Sequence, residues 1–268
     1  MEQDDLESIC NSSKSIVLEV AQFIKNEFGQ VAQSDIIEKE KHSLVSYVDI
    51  EAEKFLVRKL SDLISESSFI TEEGTADGTN QSSYIWIIDP LDGTTNFLQG
   101  IPFFSVSLAL QYKGELVMGI VHDIMRNEMF YAWKNGGAYL NGHRIHVSKT
   151  GVLDEAVIAT GFPYARKALK GLAELFLKMI ENARGVRRLG SAALDMAYTA
   201  CGRFDAYYET GINSWDIAAG TLIVREAGGI VSDFYKQDHQ IHVHNIVAGN
   251  PVLHAELMKV ISSVSLEL

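Results

Sequence analysis

The sequence predicts a mixed α/β (α+β) protein in which layers of helix and sheet alternate, and three features carry that expectation. The front half sets two amphipathic helical stretches before a run of short apolar segments bounded by turn residues, the pattern of a largely antiparallel sheet covered by helices. The back half alternates strand-like and helix-like stretches, as α/β layers do. With 268 residues, 47% of them hydrophobic and 22% charged, the chain can bury a large core, which excludes wholesale disorder.

Each element has its own signal. Residues 5–28 place Leu6, Ile9, Val17, Val20, Ile24 and Phe28 mostly at helical spacing. A polar connection follows, and a second helix is expected from Asp49, an N-cap residue type. Its apolar stripe would be Ala52, Phe55, Leu56, Leu60 and Leu63, with Lys59 the one polar member. The segments SFITEE, YIWIID, FFSVSLALQY, LVMGIVHDI, EMFYAW and RIHVS read as strands, and the KGE and RNE spacers as hairpin connections. A lobe boundary is expected near Val147 to Asp154, giving lobes 1–147 and 148–268. Beyond it, AVIATGF, FDAYYE, IVSDF and HNIVAGN alternate with four helical stretches, one of them SAALDMAYTACG with a Ser cap and a Gly stop.

Charge and cysteine usage narrow the function. With 23 basic and 35 acidic residues the formal net charge is −12, which gives no broad electrostatic footprint for nucleic acid. The two cysteines, Cys10 and Cys201, form neither a zinc spacing nor a disulfide framework, which fits a reducing, cytoplasmic setting. The acidic N-terminus is unlike a signal peptide, and no apolar run reaches the roughly 18 residues of a membrane span.

The chemistry concentrates in WIIDPLDGTTNF, residues 86–97. A buried strand is expected to end at Asp89, because Pro90 has no N–H to give the ladder. A turn through Gly93 would lead into one or two helical turns whose free N–H groups can receive an anion. Two close carboxylates repel each other and raise each other's pKa, so the pair persists most easily around something positive. Magnesium suits it, since that ion takes oxygen ligands and shares them with a phosphate. A strand followed by a polar turn with capping aspartates would look similar. The D-x-D of haloacid-dehalogenase phosphatases does not fit the spacing of Asp89 and Asp92, and no G-x-x-x-x-G-K-[ST] loop is present.

WIIDPLDGTTNF resembles the first signature of the inositol monophosphatase family, magnesium-dependent and lithium-sensitive sugar-phosphate phosphatases. WDIAAGTLIVREAGG (215–229) resembles the second, GSAALDMAYTACGRFDAYYE the substrate segment, and TEEG the upstream acidic pair. These motifs span nearly the whole chain in the family's order. The resemblance implies the family's layered fold, a homodimer, and metal ligation by Glu72, Asp89, Asp92, Asp216 and the Leu91 carbonyl. Two or three Mg2+ ions are implied, one shared by Glu72, Asp89 and Leu91 and another by Asp89, Asp92 and Asp216. It further implies that Thr94, partnered by Asp49, positions the attacking water while the N–H groups of Gly93 and Thr94 hold phosphate. Gly190, Ser191 and Ala192 would line the sugar ring, and Glu209 would accept one of its hydroxyls.

The expected substrate is myo-inositol monophosphate. Alternatives are fructose 1,6-bisphosphate, histidinol phosphate or a 3′-phosphonucleotide with the same chemistry, or a non-catalytic regulatory binding protein on this fold. Where many members have DLVT, this chain has SLVS (43–46), which bears on a loop and on a third ion. Arg187 and Arg188 read as a surface pair. His242 and His244 would share a strand face without a third ligand, so surface histidines are expected there.

Overall fold

The computed structural model describes residues 3–40, 43–76, 82–163, 169–235 and 244–266. The chain opens with helix α1 (Gln3–Glu27), a two-stranded hairpin of β1 (Ile37–Glu40) and β2 (Ser43–Val45), and helix α2 (Tyr47–Leu63). A seven-stranded sheet follows in chain order: β3 (Ser67–Thr71), β4 (Tyr84–Asp92), β5 (Ser105–Tyr112), β6 (Glu115–Asp123), β7 (Glu128–Trp133), β8 (Gly137–Leu140) and β9 (His143–Ile145). Only β3 and β4 pair in parallel; the rest is an antiparallel meander. A short helix α3 (Thr94–Leu98) lies between β4 and β5. As the spacers suggest, Lys113 and Gly114 turn β5 into β6 with positive φ angles of 51° and 86°.

The remainder builds a second sheet from β10 (Val157–Thr160), α4 (Leu169–Asn182), β11 (Gly185–Arg187), α5 (Ala192–Ala200), β12 (Ala206–Thr210), α6 (Ser214–Glu226), β13 (Ile230–Ser232), β14 (Asn245–Gly249) and α7 (Pro251–Ser262). Its strand order is β11-β10-β12-β14-β13, parallel over the first three strands and antiparallel after them.

Strand alternation sorts the core into three layers. Trp86 and Ile88 face α1 and α2, together with Val20, Ile24, Leu56 and Leu60. Ile87, between them, faces the opposite way and joins α5, α6 and the inner face of the second sheet through Ala197, Ile223, Tyr207 and Ala248. Ala206 and Tyr208 flank Tyr207 and point outward to α4 and α7, meeting Leu175, Met179 and Leu257. The layer order is therefore helices, seven strands, α5 and α6, five strands, helices.

Three expectations need correction. Helix α2 begins at Tyr47, not Asp49: Ser46 is its N-cap, accepting from the Val48 N–H at 3.2 Å, and Asp49 Oδ2 accepts from the Ser46 N–H at 2.8 Å. Ser-x-x-Asp is thus a capping box whose first residue, not its fourth, is the N-cap. The buried face of α2 is Val48, Asp49, Ala52, Glu53, Leu56 and Leu60, while Lys59 lies outside it and pairs with Glu19 at 2.8 Å. Finally, β1 and β2, read from the sequence as a polar connection, and β8 and β11, left unassigned, are strands of only three or four residues, too few for a period to register.

Candidate active site

The Asp89–Asp92 pair owes its geometry to an irregularity in β4. Pro90 does not end the strand as expected. Asp89 pairs with Ser107 and Asp92 with Ser105, so three steps along β4 match two along β5. On a regular strand a spacing of three would put the carboxylates on opposite faces. The extra residue of this bulge restores the parity and brings both to one face. Leu91, displaced with Pro90, buries its side chain and donates its N–H to Asp89 Oδ1 at 2.9 Å.

Gly93 turns the chain out of the strand with φ 100°, a left-handed value that a side chain resists. A Cβ there would also stand 3.1 Å from the Phe103 carbonyl oxygen and 3.3 Å from that of Gly190. Helix α3 begins at Thr94. Its hydroxyl lies 2.9 Å from Asp49 Oδ1 and 3.0 Å from the Leu91 carbonyl oxygen. Asp49 is buried and also accepts from the Ser46 N–H and hydroxyl; burial pushes its carboxyl up while these bonds hold it down.

Two more acids close on the bulge. The Glu72 N–H donates to the Ile88 carbonyl at 3.3 Å, continuing the β3–β4 pairing and setting Glu72 beside Asp89. Asp216 sits in the first turn of α6, where Oδ2 accepts from the Asn213 N–H at 2.6 Å; Asn213 is the N-cap, so Asp216 does cap its helix as well as face the cleft. Asp89 is held well above its ordinary range by burial, then by Glu72, Asp92 and Asp216. Asp216 is raised by burial and by Asp92, against the Asn213 N–H. Asp92 is pushed up to about 6 by burial, opposed by the Ser191 hydroxyl at 2.5 Å, the Ala193 N–H at 2.8 Å and Arg188.

This donor set fits hard divalent cations. The Glu72 carboxyl stands close enough to Asp89 to help raise its pKa. A cation between them would offset that repulsion and take the oxygen ligands it prefers. Among the described residues no three His, Cys, Asp or Glu side chains form a ready-made cage. That openness suits an ion that keeps water and shares its shell with a phosphate.

The opposite wall comes from the second sheet. A cavity of about 460 Å³ is lined on one side by Glu72, Asp89, Asp92, Thr94 and Asp216 and on the other by Gly190, Ser191, Ala192 and Glu209, the two sides touching where Ser191 donates to Asp92. All the residues expected at the site except Asp49 line it directly, and Asp49 reaches it through Thr94. Glu209 is no stray strand end. Its Oε2 accepts from the Tyr207 hydroxyl at 2.5 Å, and a Cβ on Gly161 would stand 2.0 Å from its Oε1. Burial pushes it up to about 7, opposed by Tyr207 and Arg188.

Sequence reasoning missed two charged residues of the lining. Arg188 is exposed, as its neighbour Arg187 is, but it also lines the cavity and acts on Asp92, Asp195 and Glu209. Asp195 is buried, lines the cavity, and leaves Oδ1 without a hydrogen-bond partner. Its position four residues after the Ser191 cap, one helical turn along the same face, was the available signal. Asn96 ties the two ends together, its Nδ2 donating to the carbonyls of Phe103 and Leu189, both at 2.8 Å. His242 lies outside the described residues.

A cleft with clustered acids at one end and a polar wall at the other, on alternating helix and sheet layers, defines a phosphatase class, and comparison with known proteins agrees. Residues 5–266 match the Inositol monophosphatase family. The Inositol-1-monophosphatase of Mesorhizobium japonicum is 39% identical over 256 residues, covering 95% of this chain and 96% of that protein. The Nus factor SuhB of Escherichia coli K12 is 44% identical over 216 residues, 80% of each chain. Among solved structures, the extragenic suppressor protein suhB of Bartonella henselae superposes with a TM-score of 0.90 at 36% identity, covering 95% of this chain and 98% of that one. The Thermotoga maritima IMPase gives 0.86 at 35% identity, with 97% and 98% covered. The chain belongs to the inositol monophosphatase family and is a phosphatase. That family is metal-dependent in general, and no described helix here is long and apolar enough to cross a membrane.

Proposed function

We propose that the protein hydrolyses myo-inositol monophosphate to inositol and phosphate, with water as the nucleophile. The observation that carries this reading is the polar far wall of the cleft, where Glu209 is fixed by Tyr207 and Arg188 and Asp195 stand nearby. Such a wall suits a ring of hydroxyls better than an apolar leaving group.

Glu72, Asp89, Asp92, Asp216 and the Leu91 carbonyl would hold two or three Mg2+ ions. Bound there, the ions neutralise phosphate charge and lower the pKa of water. The rest is the work of the chain. Asp49 accepts a hydrogen bond from the Thr94 hydroxyl, so Thr94 Oγ1 presents its lone pairs to a water and aims that water at phosphorus. The N–H groups of Gly93 and Thr94, at the start of α3, donate to phosphate oxygens. Water oxygen bonds to phosphorus as the ester P–O bond breaks, and the alkoxide oxygen leaves with a proton. Gly190, Ser191 and Ala192 support the ring, Glu209 accepts one of its hydroxyls, and Arg188 donates to the substrate.

The test is phosphate release from inositol 1-phosphate, fructose 1,6-bisphosphate, histidinol phosphate and 3′-phosphoadenosine 5′-phosphate, with and without magnesium. Magnesium-dependent release led by inositol 1-phosphate supports the reading; another leading substrate overturns it. The homodimer and lithium sensitivity implied by the family belong to the same reading, checked by light scattering and lithium titration.

The relatives named Nus factor SuhB favour a second reading, a regulatory role beside catalysis. Complementing a deletion strain with Asp92→Asn separates the two: a phenotype rescued by a chain without phosphatase activity belongs to the second role.

A further inference from the structure

Helix α2 carries two buried acids one turn apart on one face, Asp49 and Glu53. Asp49 reaches forward to Thr94, while Glu53 reaches the segment that follows Glu72. Glu53 Oε2 accepts from the Glu73 N–H at 2.7 Å, and Oε1 accepts from the Thr75 N–H at 2.7 Å and the Thr75 hydroxyl at 2.8 Å. Glu53 is fully buried, and a buried carboxylate is costly unless well hydrogen-bonded. All three of these donors lie within the three residues after Glu72. An apolar side chain would pack α2 equally well, but it would leave two backbone N–H groups of that segment without these acceptors.

We propose that Glu53 is a positioning residue that fixes the backbone next to Glu72, so that one rigid helix sets the Glu72 carboxyl and the Thr94 hydroxyl in common register. The inference rests on Glu72 serving as a metal ligand, as proposed above. Through Asp49 the helix holds the water-orienting arm, and through Glu53 it holds the segment just after the acid that follows β3. Groups that orient a ligand from behind typically change metal affinity about 10- to 100-fold when altered.

The test is the affinity for Mg2+, titrated by calorimetry without substrate, in wild type, Glu53→Gln, Thr75→Val and Glu72→Gln. Glutamine keeps the shape of Glu53 but has one oxygen, so whichever way it turns, an NH2 faces one of the backbone N–H groups. Glu53→Gln is expected to weaken Mg2+ binding about 10- to 100-fold. Thr75→Val removes one bond of the three and is expected to weaken it about 3- to 10-fold. Combining Glu53→Gln with Glu72→Gln should weaken binding no further than Glu72→Gln alone, because both changes act through one ligand. Amide exchange at Glu73 and Thr75 should quicken in Glu53→Gln. If Glu72→Gln weakens binding while folded Glu53→Gln and Thr75→Val stay within about twofold of wild type, Glu53 is merely structural and the proposal is wrong. If Glu72→Gln itself leaves Mg2+ affinity unchanged, the ligand reading falls first and takes this proposal with it.

Discussion

At the β4 end of the cleft burial and the neighbouring acids raise the pKa of Asp89 and Asp216, whereas at the α5–β12 end Glu209 and Asp195 share the field of Arg188 and Glu209 also has the Tyr207 hydroxyl. Carboxyls are buried at both ends. The difference is what answers their charge. At the first end the acids accept from Leu91, Ser191, Ala193 and Asn213 and Arg188 acts on Asp92, and bound cations would complete the neutralisation. At the second end a guanidinium and a phenol already do part of that work. On the proposed reading the first end would take cations and phosphate and the second neutral hydroxyls, so substitutions at the two should fail differently.

The largest effect is expected at the crowded end. Asp92→Asn removes a charge shared between the proposed ions and should lower phosphate release about 10³-fold or more, the loss of several kcal/mol of transition-state stabilisation. Steady-state assays at saturating magnesium would measure it. A tenfold loss or less would mean that the acids do not act together. Next comes Thr94→Ala, which leaves the carboxyls in place but gives the water no oriented acceptor. It should cost about 10²-fold in kcat with little change in KM.

Changes at the far end should be smaller and selective. Arg188→Ala or Glu209→Gln should raise KM for inositol 1-phosphate about tenfold, one hydrogen bond involving a charged group, and should spare phenyl phosphate, which has no hydroxyls to place. Gly161→Ala should imitate Glu209→Gln, because its methyl enters the space of the Glu209 carboxyl. Equal losses on both substrates would erase the distinction between the two ends.

The smallest effect is on stability. Asp92 and Glu209 are raised to about 6 and about 7, so the folded protein holds their protons more tightly than the unfolded chain does. Their contribution is complete below about pH 4 and is lost as pH rises through about 7. In chelator, the melting temperature should carry a component that falls across this window. Magnesium should remove the Asp92 part of that fall and leave the Glu209 part.

Much of this was legible in the sequence. The order of motifs led to the family, and periodicity located α1, α4, α5, α6, α7 and most of the long strands. The fold brings the expected site residues to one cleft, but only Asp89 to Thr94 come from one short segment; Asp49, Glu72, Ser191, Glu209 and Asp216 converge on it from elsewhere. What escaped depends on geometry that pattern does not encode. The role of Pro90 as part of a bulge, with Asp89 and Asp92 returned to one face, follows from pairing with β5, which lies beyond the motif. The inward face of α2 shifted because two acids are buried on it, against the usual cost of burying charge. Arg188 is exposed, as its sequence suggests, and its place in the cavity lining shows only once β12 sets Glu209 in the same cleft.

The most direct test of the central claim is calorimetry of Mg2+ binding to the substrate-free protein in two buffers of different ionisation enthalpy, at about pH 6 and about pH 8. If the crowded carboxyls hold protons that cations displace, binding should release protons at the lower pH, release fewer at the higher, and weaken sharply in Asp92→Asn. Binding with no proton release at either pH, or with the same affinity in Asp92→Asn, would contradict the account.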